Sequence, residues 1–373
     1  MALDAFLDQL PQKYLDLNIL CAMSGGVDSS SAALILKRGG AKVLGATMKL
    51  LTEQVEGPTG RSCCSLADIM DARRVAERLD IDFMVFNFTL LFAQEVILPF
   101  ARSYRQGLTP NPCLDCNRHL KFRHLWERAK ILGFDYVATG HYAQIKKRED
   151  GRFILHKAKD KNKDQSYVLY SLTQEELART IFPLGELTKS EVRHLAAMAG
   201  LTNAEKPDSQ DICFVPDGDY AKFLENFYQD CPPPGDVVDL SGNILGRHKG
   251  LFHYTIGQRR GLGIPGPVPR YVIDIDPATN TLTLGEGKSL EVSSILVGNL
   301  NLISVPEITG NLEVMIKTRY RQPEVPGEIT PCGPDQVRVT FLKPLKTPAP
   351  GQAAVFYDGD TVIGGGTILK NPL

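Results

Sequence analysis

Two stretches of this sequence hold residue types and spacings suited to chemistry. The first is S-G-G-V-D-S-S at residues 24–30, between an apolar run and a helix-forming run. Its glycines let the backbone come close to an anion and adopt φ values that other residues avoid. Backbone N–H groups at the start of a helix favour phosphate, and the hydroxyls of Ser24, Ser29 and Ser30 add donors. No Gly-Lys-Ser/Thr follows, so the loop is not of the Walker A type. The second stretch is N-P-C-L-D-C-N at residues 111–117. Its C-x-x-C can be read as a zinc clip, a redox pair, ligands of an iron–sulfur cluster or two buried thiols, and spacing alone does not choose.

The elements that must position these residues follow from periodicity. Residues 18–23, apolar from Ile19 on, read as a strand buried in a parallel sheet; residues 31–38 read as a helix ended by Gly39 and Gly40. Strands at 42–48, 82–87 and 136–139 alternate with helices at 66–79 and roughly 121–132. That alternation implies right-handed βαβ units and a parallel sheet to about residue 215. The breaker C-P-P-P-G at 231–235 then changes the character of the chain. Short alternating strands follow at 270–276, 281–284, 312–317, 336–341 and 353–357, with hairpin turns at 276–280 and 357–360. The expected fold class is α/β: an N-terminal parallel-sheet domain over 1–218, a small central α+β domain over 219–288 and a C-terminal β-barrel over 289–373.

The 373 residues carry 43% hydrophobic and 23% charged residues and a formal net charge of −1. This composition fits several globular domains and gives no global basic signal, so nucleic-acid binding must rest on local patches. Such patches occur in H-K-A-K-D-K-N-K at 156–163, at Arg247, Arg259 and Arg260, and in K-T-R-Y-R at 317–321. Tyr142, Tyr254 and Tyr320 could stack on splayed bases. No apolar run reaches the ~20 residues needed to cross a bilayer, and the acidic, amphipathic start lacks a leader pattern. The expected location is cytoplasmic, with no membrane partner. There a disulfide framework is not expected from the eight cysteines. Cys21, Cys231 and Cys332 read as structural, and Cys63–Cys64 as a structural or merely exposed pair. Two decoys are set aside: G-E-G-K-S at 285–289 has no strand–helix frame, and G-L-G-I-P-G at 261–266 contains proline in the β-rich half.

The loop at 24–30 resembles the pyrophosphate-binding loop of the ATP pyrophosphatases, which cleave ATP between its α and β phosphates. Taken with N-P-C-L-D-C-N, T-G-H-Y-A at 139–143, K-D-Q-S-Y at 163–167, K-P-D-S-Q-D-I-C-F at 206–214 and G-Q-R-R-G-L-G at 257–263, the chain resembles the tRNA-specific 2-thiouridylases along essentially its whole length. The resemblance implies adenylation of the C2 carbonyl of the wobble uridine (position 34) by ATP with Mg2+, then sulfur attack and loss of AMP. It implies ATP held by Ala22, Met23, Ser24, Gly25, Gly26, Val27, Asp28 and Ser29, with Met48 and Gly140 beside the nucleotide. Cys116 and Cys213 correspond to the family's two functional cysteines: Cys213 would carry a persulfide delivered by a sulfur-relay protein or a cysteine desulfurase, and Cys116 would attack it. Asn111, Pro112 and Cys113 would meet the target base, and His141, Lys163, Asp164, Gln165, Arg319, Tyr320 and Gln352 the tRNA anticodon stem-loop. One branch of the family has Asp where this chain has Cys113. Cys113, Cys116 and Cys213 together make a three-thiolate set that could hold a [4Fe–4S] cluster with one iron open. A persulfide relay without metal and a zinc site remain alongside it, although zinc would want a fourth ligand. Two further readings are an adenylating ligase for a small metabolite and a non-catalytic tRNA-binding or sulfur-carrier protein.

Overall fold

The computed structural model describes residues 6, 10, 12–51, 65–207, 212–215 and 218–370. The chain divides into two compact units: Met1–Val96 with Cys113–Asp217 and Asp360–Val362, and Ile97–Pro112 with Gly218–Gly359 and Ile363–Leu373.

The first unit is built on a parallel sheet. Its strands are β1 (Asn18–Ala22), β2 (Lys42–Lys49), β3 (Asp82–Asn87), β4 (Tyr136–Ala138) and, after the hairpin strands β5 (Gln144–Lys147) and β6 (Phe153–His156), β7 (Thr180–Ile181). The sheet order is β3-β2-β1-β4-β7, every pair parallel. β1 is central because I-L-C at its middle is apolar on both faces; Ile19, Leu20 and Cys21 are fully buried, each such aliphatic side chain stabilising the fold by about 1.5–3 kcal/mol. From β1 the chain winds one way to β2 and β3, then returns to the other side of β1 as β4. This is a topological switch point, and the crevice beyond the strands' C-terminal ends is where open α/β sheets bind ligands.

Helix α1 (Val27–Arg38) follows β1 directly and is buried almost all round, as an interior helix should be. It starts four residues earlier than periodicity predicts, because Gly26 is extended (φ −86°, ψ 160°) and the helix begins at Val27. Helix α2 (Leu66–Leu79) is amphipathic, burying Ile69, Ala72, Val75 and Ala76, and opens with a Ser65–Asp68 capping box. The expected helix at 121–132 is more complex. A turn at Pro112–Asp115 leads into a π-helical stretch, Cys116–His124, before the chain tightens into α-helix at Leu125–Ile131. The first unit also contains a helix at Lys189–Met198.

The second unit holds a helix the sequence reading did not foresee, Leu98–Arg105. Its Phe100 and Tyr104 pack on Phe223 and Tyr220 of another helix, Tyr220–Phe227. Beside them lies a four-stranded sheet of order β10-β11-β8-β9, formed by β8 (Asp236–Val238), β9 (Ile244–Arg247), β10 (Arg270–Asp276) and β11 (Thr281–Glu286). Then come β12 (Glu291–Leu302), β13 (Leu312–Lys317), β14 (Val325–Gly333), β15 (Gln336–Lys346), β16 (Ala353–Asp358) and β17 (Thr361–Ile368). They run β12-β15-β14-β13-β16-β17 and close through β12–β17 into a six-stranded barrel. Alternate residues of β15, Val337, Val339 and Phe341, point into its core. The α/β architecture with a C-terminal barrel is as the sequence indicates. No helix among the described residues is long and apolar enough to cross a membrane.

Candidate functional site

The loop after β1 is fixed by hydrogen bonds of its own backbone. Met23 N–H donates to the Ala46 carbonyl (2.8 Å), and the Met23 carbonyl accepts from Thr47 Oγ1 (2.6 Å), which fixes where the chain leaves the sheet. Gly25 has φ +73°, and a Cβ there would fall 2.3 Å from the Asp68 carbonyl oxygen, so the loop lies against the first turn of α2 as only glycine allows. Ser29 Oγ accepts from the Ser24 N–H (3.1 Å) and donates to the Gly26 carbonyl (3.1 Å). No side chain caps the first turn of α1. The positive end of the helix dipole lies at this uncapped turn.

Gly140 follows β4 and lies against the same turn. A Cβ there would come within 2.7 Å of the Asp28 carbonyl carbon and the Ser29 nitrogen. Met48 is buried near the end of β2. Ala22 to Ser29, Met48 and Gly140 thus gather at the C-terminal ends of β1, β2 and β4, beside the switch point.

Residues that the sequence reading left without this role brace the loop. Lys206 Nζ bonds to Asp68 Oδ1 and Asp71 Oδ2 (2.7 Å each) and reaches the Gly25 carbonyl (3.4 Å). Asn203 Nδ2 donates to the Gly25 carbonyl (3.0 Å) and Ser30 Oγ (2.8 Å). Asp28 is paired with Lys189 (2.7 Å) and accepts from the Tyr142 hydroxyl (2.7 Å). The signal available for Lys189 was the capping box T-K-S-E at 188–191, which sets it at the first helical position. Tyr142 is 2% exposed and Tyr254 3%, which corrects their reading as stacking platforms; Tyr320, 37% exposed, retains that geometry.

Of the thiols, Cys113 is exposed, while Cys116 and Cys213 are half-buried. Cys116 opens the π-helical stretch, a local geometry common at functional sites. The neighbouring Asn117 Nδ2 anchors that stretch on the Val168 carbonyl (3.1 Å). Asp115 has its pKa pushed up to about 6 by burial, with Arg118 opposing and Glu95 adding to the rise. Cys213 lies in a short turn closed by Val215 N–H on the Ile212 carbonyl (2.9 Å). Its neighbour Phe214 packs edge-on against Phe92, centroids 5.6 Å apart. Among the described residues no three His, Cys, Asp or Glu side chains come together as a metal site. Cys21 is buried, its pKa raised to about 12 by burial, as a structural thiol should be; Cys332 is exposed. Cys63 and Cys64 lie outside the described residues, as do 208–211 of the stretch before Cys213.

The residues assigned to RNA fall into several settings. Gln352 Nε2 donates to the carbonyls of Thr109 (2.9 Å) and Pro110 (3.2 Å) and so supports the backbone leading to Asn111; Pro112 is buried. Arg319 lies near Gly257, its guanidinium 3.5 Å from where a Cβ would stand. The Lys317 ammonium sits 5.7 Å from the Tyr320 ring centroid. His141 is buried, its Nδ1 2.7 Å from Thr139 Oγ1. Burial, and then the charge of Lys121, holds its pKa well below the usual histidine value. Asp164 accepts from the Ala158 N–H and Ser166 Oγ. Gln165 exchanges two hydrogen bonds with the Tyr142 backbone (2.9 Å each). Lys163 is half-exposed on the same loop. In the basic run, Lys159 pairs with Glu191 and Lys161 with Asp360. The 261–266 stretch forms an open groove with Arg259 and Arg270, with no helix after it.

Comparison with known proteins adds to this geometry. Three family models match in succession: "tRNA methyl transferase HUP domain" over residues 17–217, "tRNA methyl transferase PRC-barrel domain" over 221–286 and "Aminomethyltransferase beta-barrel domain" over 292–368. The tRNA-specific 2-thiouridylase MnmA of Halothermothrix orenii is 46% identical over 354 residues, covering 95% of this chain and 99% of that protein. The protein of the same name from Symbiobacterium thermophilum is 48% identical over 358 residues, covering 94% and 92%. A crystal structure of a 4-thiouridine synthetase–RNA complex with bound ATP aligns at 18% identity with a TM-score of 0.34, over 56% of this chain and 50% of that one, a likeness too slight to argue from.

Proposed function

Because the chain belongs to the tRNA-specific 2-thiouridylase family, we propose that it replaces the C2 oxygen of uridine 34 in tRNA with sulfur, cleaving ATP to AMP and pyrophosphate. The observation that carries this reading is near full-length similarity to 2-thiouridylases in a chain whose anion loop is assembled at the sheet's switch point.

The loop from Ala22 to Ser29 takes the phosphates of ATP, which brings its own Mg2+, and Met48 and Gly140 border the nucleotide. The first-turn N–H groups of α1 meet the negative charge that grows on the departing pyrophosphate, so the donors are in place before the reaction. The uridine O2 attacks the α-phosphorus, the α–β bridge breaks, and C2 acquires an AMP leaving group. Cys213 carries a persulfide received from a sulfur-relay protein or a cysteine desulfurase. The Cys116 thiolate attacks Cys213 Sγ, forming a disulfide and releasing hydrosulfide. Hydrosulfide attacks C2, AMP leaves with the former C2 oxygen, and an external thiol reductant resets the two cysteines. Asn111, Pro112 and Cys113 border the target base. Lys163, Arg319 and Tyr320 contact the anticodon arm, whereas Asp164, Gln165 and Gln352 act by holding the backbone that presents it and His141, buried, is bonded to the Thr139 hydroxyl. In the cluster-dependent route Cys113, Cys116 and Cys213 would instead be the ligands of a [4Fe–4S] cluster with one iron open for sulfide.

The test is turnover of unmodified tRNA with ATP, Mg2+ and a persulfide donor, read as 2-thiouridine and AMP. Cys116→Ser and Cys213→Ser should each abolish thiouridine while ATP–pyrophosphate exchange with tRNA persists. Exchange with a small acid and no tRNA would instead identify a metabolite ligase. Tight tRNA binding without AMP release would identify a carrier. Near-stoichiometric iron and acid-labile sulfide in active, anaerobically purified protein would overturn the metal-free relay.

A further inference from the structure

Asp28 is gripped by two residues that each hold a second element. Its Oδ1 accepts from Lys189 Nζ and from the Tyr142 hydroxyl, and its Oδ2 accepts from the same ammonium, all at 2.7 Å. The Lys189 ammonium also lies 6.0 Å from the Tyr142 ring centroid. The Lys189 side chain is only 11% exposed. The Asp28 side chain is 31% exposed, so parting the two would take this carboxylate from a largely buried ammonium.

Both partners reach the loop that carries Lys163. The Lys189 N–H donates to Asp160 Oδ2 (2.9 Å). Asp160 in turn accepts from the Asn162 N–H on Oδ1 and from the Lys163 N–H on its carbonyl, both at 3.0 Å. The Tyr142 N–H donates to Gln165 Oε1, and the Gln165 N–H donates back to the Tyr142 carbonyl, both at 2.9 Å. Two arms, Asp160–Lys189 and Gln165–Tyr142, therefore run from one loop and meet on a single carboxylate in the first turn of α1.

We propose that Lys189 and Tyr142 are positioning residues that couple the 160–165 loop to the nucleotide loop through Asp28, so that RNA bound at the first and ATP bound at the second raise each other's affinity. The proposal rests on the function given above. RNA that fixes the loop fixes the acceptors of Lys189 and Tyr142, and with them the orientation of Asp28 and of the N–H groups around it. A coupling of this kind is reciprocal and commonly amounts to about 5- to 150-fold. A shared hydrogen-bonded element becomes a coupling only when both ligands are shown to bias it.

The test measures the Kd of a non-hydrolysable ATP analogue for the full chain, with and without a saturating unmodified anticodon stem-loop RNA. It uses the wild type, Tyr142→Phe, which removes one hydroxyl, and Asp160→Asn, which removes one acceptor of the other arm. The wild type should bind the analogue at least about fivefold more tightly with RNA present, and the analogue should tighten RNA binding by the same factor. In either variant the ratio should fall to less than half its wild-type value. A general loss of packing would weaken both measurements and leave their ratio unchanged. A ratio of one in a wild type that binds both ligands, or an unaltered ratio in both variants, overturns the coupling alone. A wild type that binds neither ligand overturns the functional reading and the coupling with it.

Discussion

At the scale of single residues, the loop proposed for ATP, residues 22–29, depends on backbone approaches that no side chain can share. Gly140 is the sharpest case, since an added Cβ would meet the backbone of Asp28 and Ser29 at 2.7 Å. Gly140→Ala should cost about 1–3 kcal/mol of stability and weaken ATP binding by roughly tenfold or more, as one misplaced donor costs a few kcal/mol in such sites; isothermal titration checks the second effect. His141 gives a pH prediction. Its folded pKa lies below the unfolded value because burial disfavours the cation. The stability it contributes is present above about pH 6.5 and is lost as pH falls from there, by up to about 1.4 kcal/mol per unit. Urea unfolding from pH 7 to 5 should show that slope, and His141→Gln should reduce it. Residue types alone exposed the S-G-G-V-D-S-S loop because glycine, hydroxyl and position coincide there. They could not reveal that Tyr142 points inward to Asp28, because an aromatic beside a histidine reads equally well as a surface stack and only the tertiary partner decides.

At the scale of elements, hydrophobic period located the parallel strands β1 to β4 and several barrel strands but not β12, β14 or β17, and it located the irregular helices poorly. β10 at Arg270–Asp276 and β13 at Leu312–Lys317 fall where alternation places them, since a strand with one buried face writes its period directly. The π-helical stretch from Cys116 to His124 was not legible: a change from i→i+4 to i→i+5 bonding leaves no distinct pattern in nine residues. The helix Leu98–Arg105 escaped for another reason. Its sequence, L-P-F-A-R-S-Y-R, has proline in the first turn, which is tolerated there but reads as a breaker in a linear scan. Phe100 is fully buried against Tyr104 and Phe223, centroids 5.0 and 6.3 Å away. Phe100→Ala should therefore destabilise the second unit by about 3–5 kcal/mol, seen as an earlier transition in thermal unfolding. A shift no larger than that of an exposed substitution such as Leu342→Ala would count against this ring cluster as a core.

At the scale of the whole molecule, a net charge of −1 must still recruit a polyanion, so binding falls to local charge. Lys159 and Lys161 are engaged with Glu191 and Asp360, which leaves less of the basic run for phosphate than its density suggests. Lys163→Gln should weaken tRNA binding most at low salt and make the log–log salt dependence shallower by roughly 0.7–0.9, the yield of one lost phosphate contact. An unchanged slope in filter binding would remove Lys163 from the footprint. The division into units was only partly legible: the change from helix-and-strand to strand-only texture marks the second half, but nothing in composition tells that residues 97–112 pack with residues beyond 218. That excursion has a consequence for synthesis. Phe100 and Tyr104 leave the ribosome more than a hundred residues before Tyr220 and Phe223. At about 5–20 residues per second the delay is roughly 5–25 s, during which the ring partners have yet to be made. The nascent chain then carries an aromatic segment open to chaperones and to aggregation. The pace of translation between codons 105 and 220 should accordingly alter the yield of folded protein without changing a single amino acid.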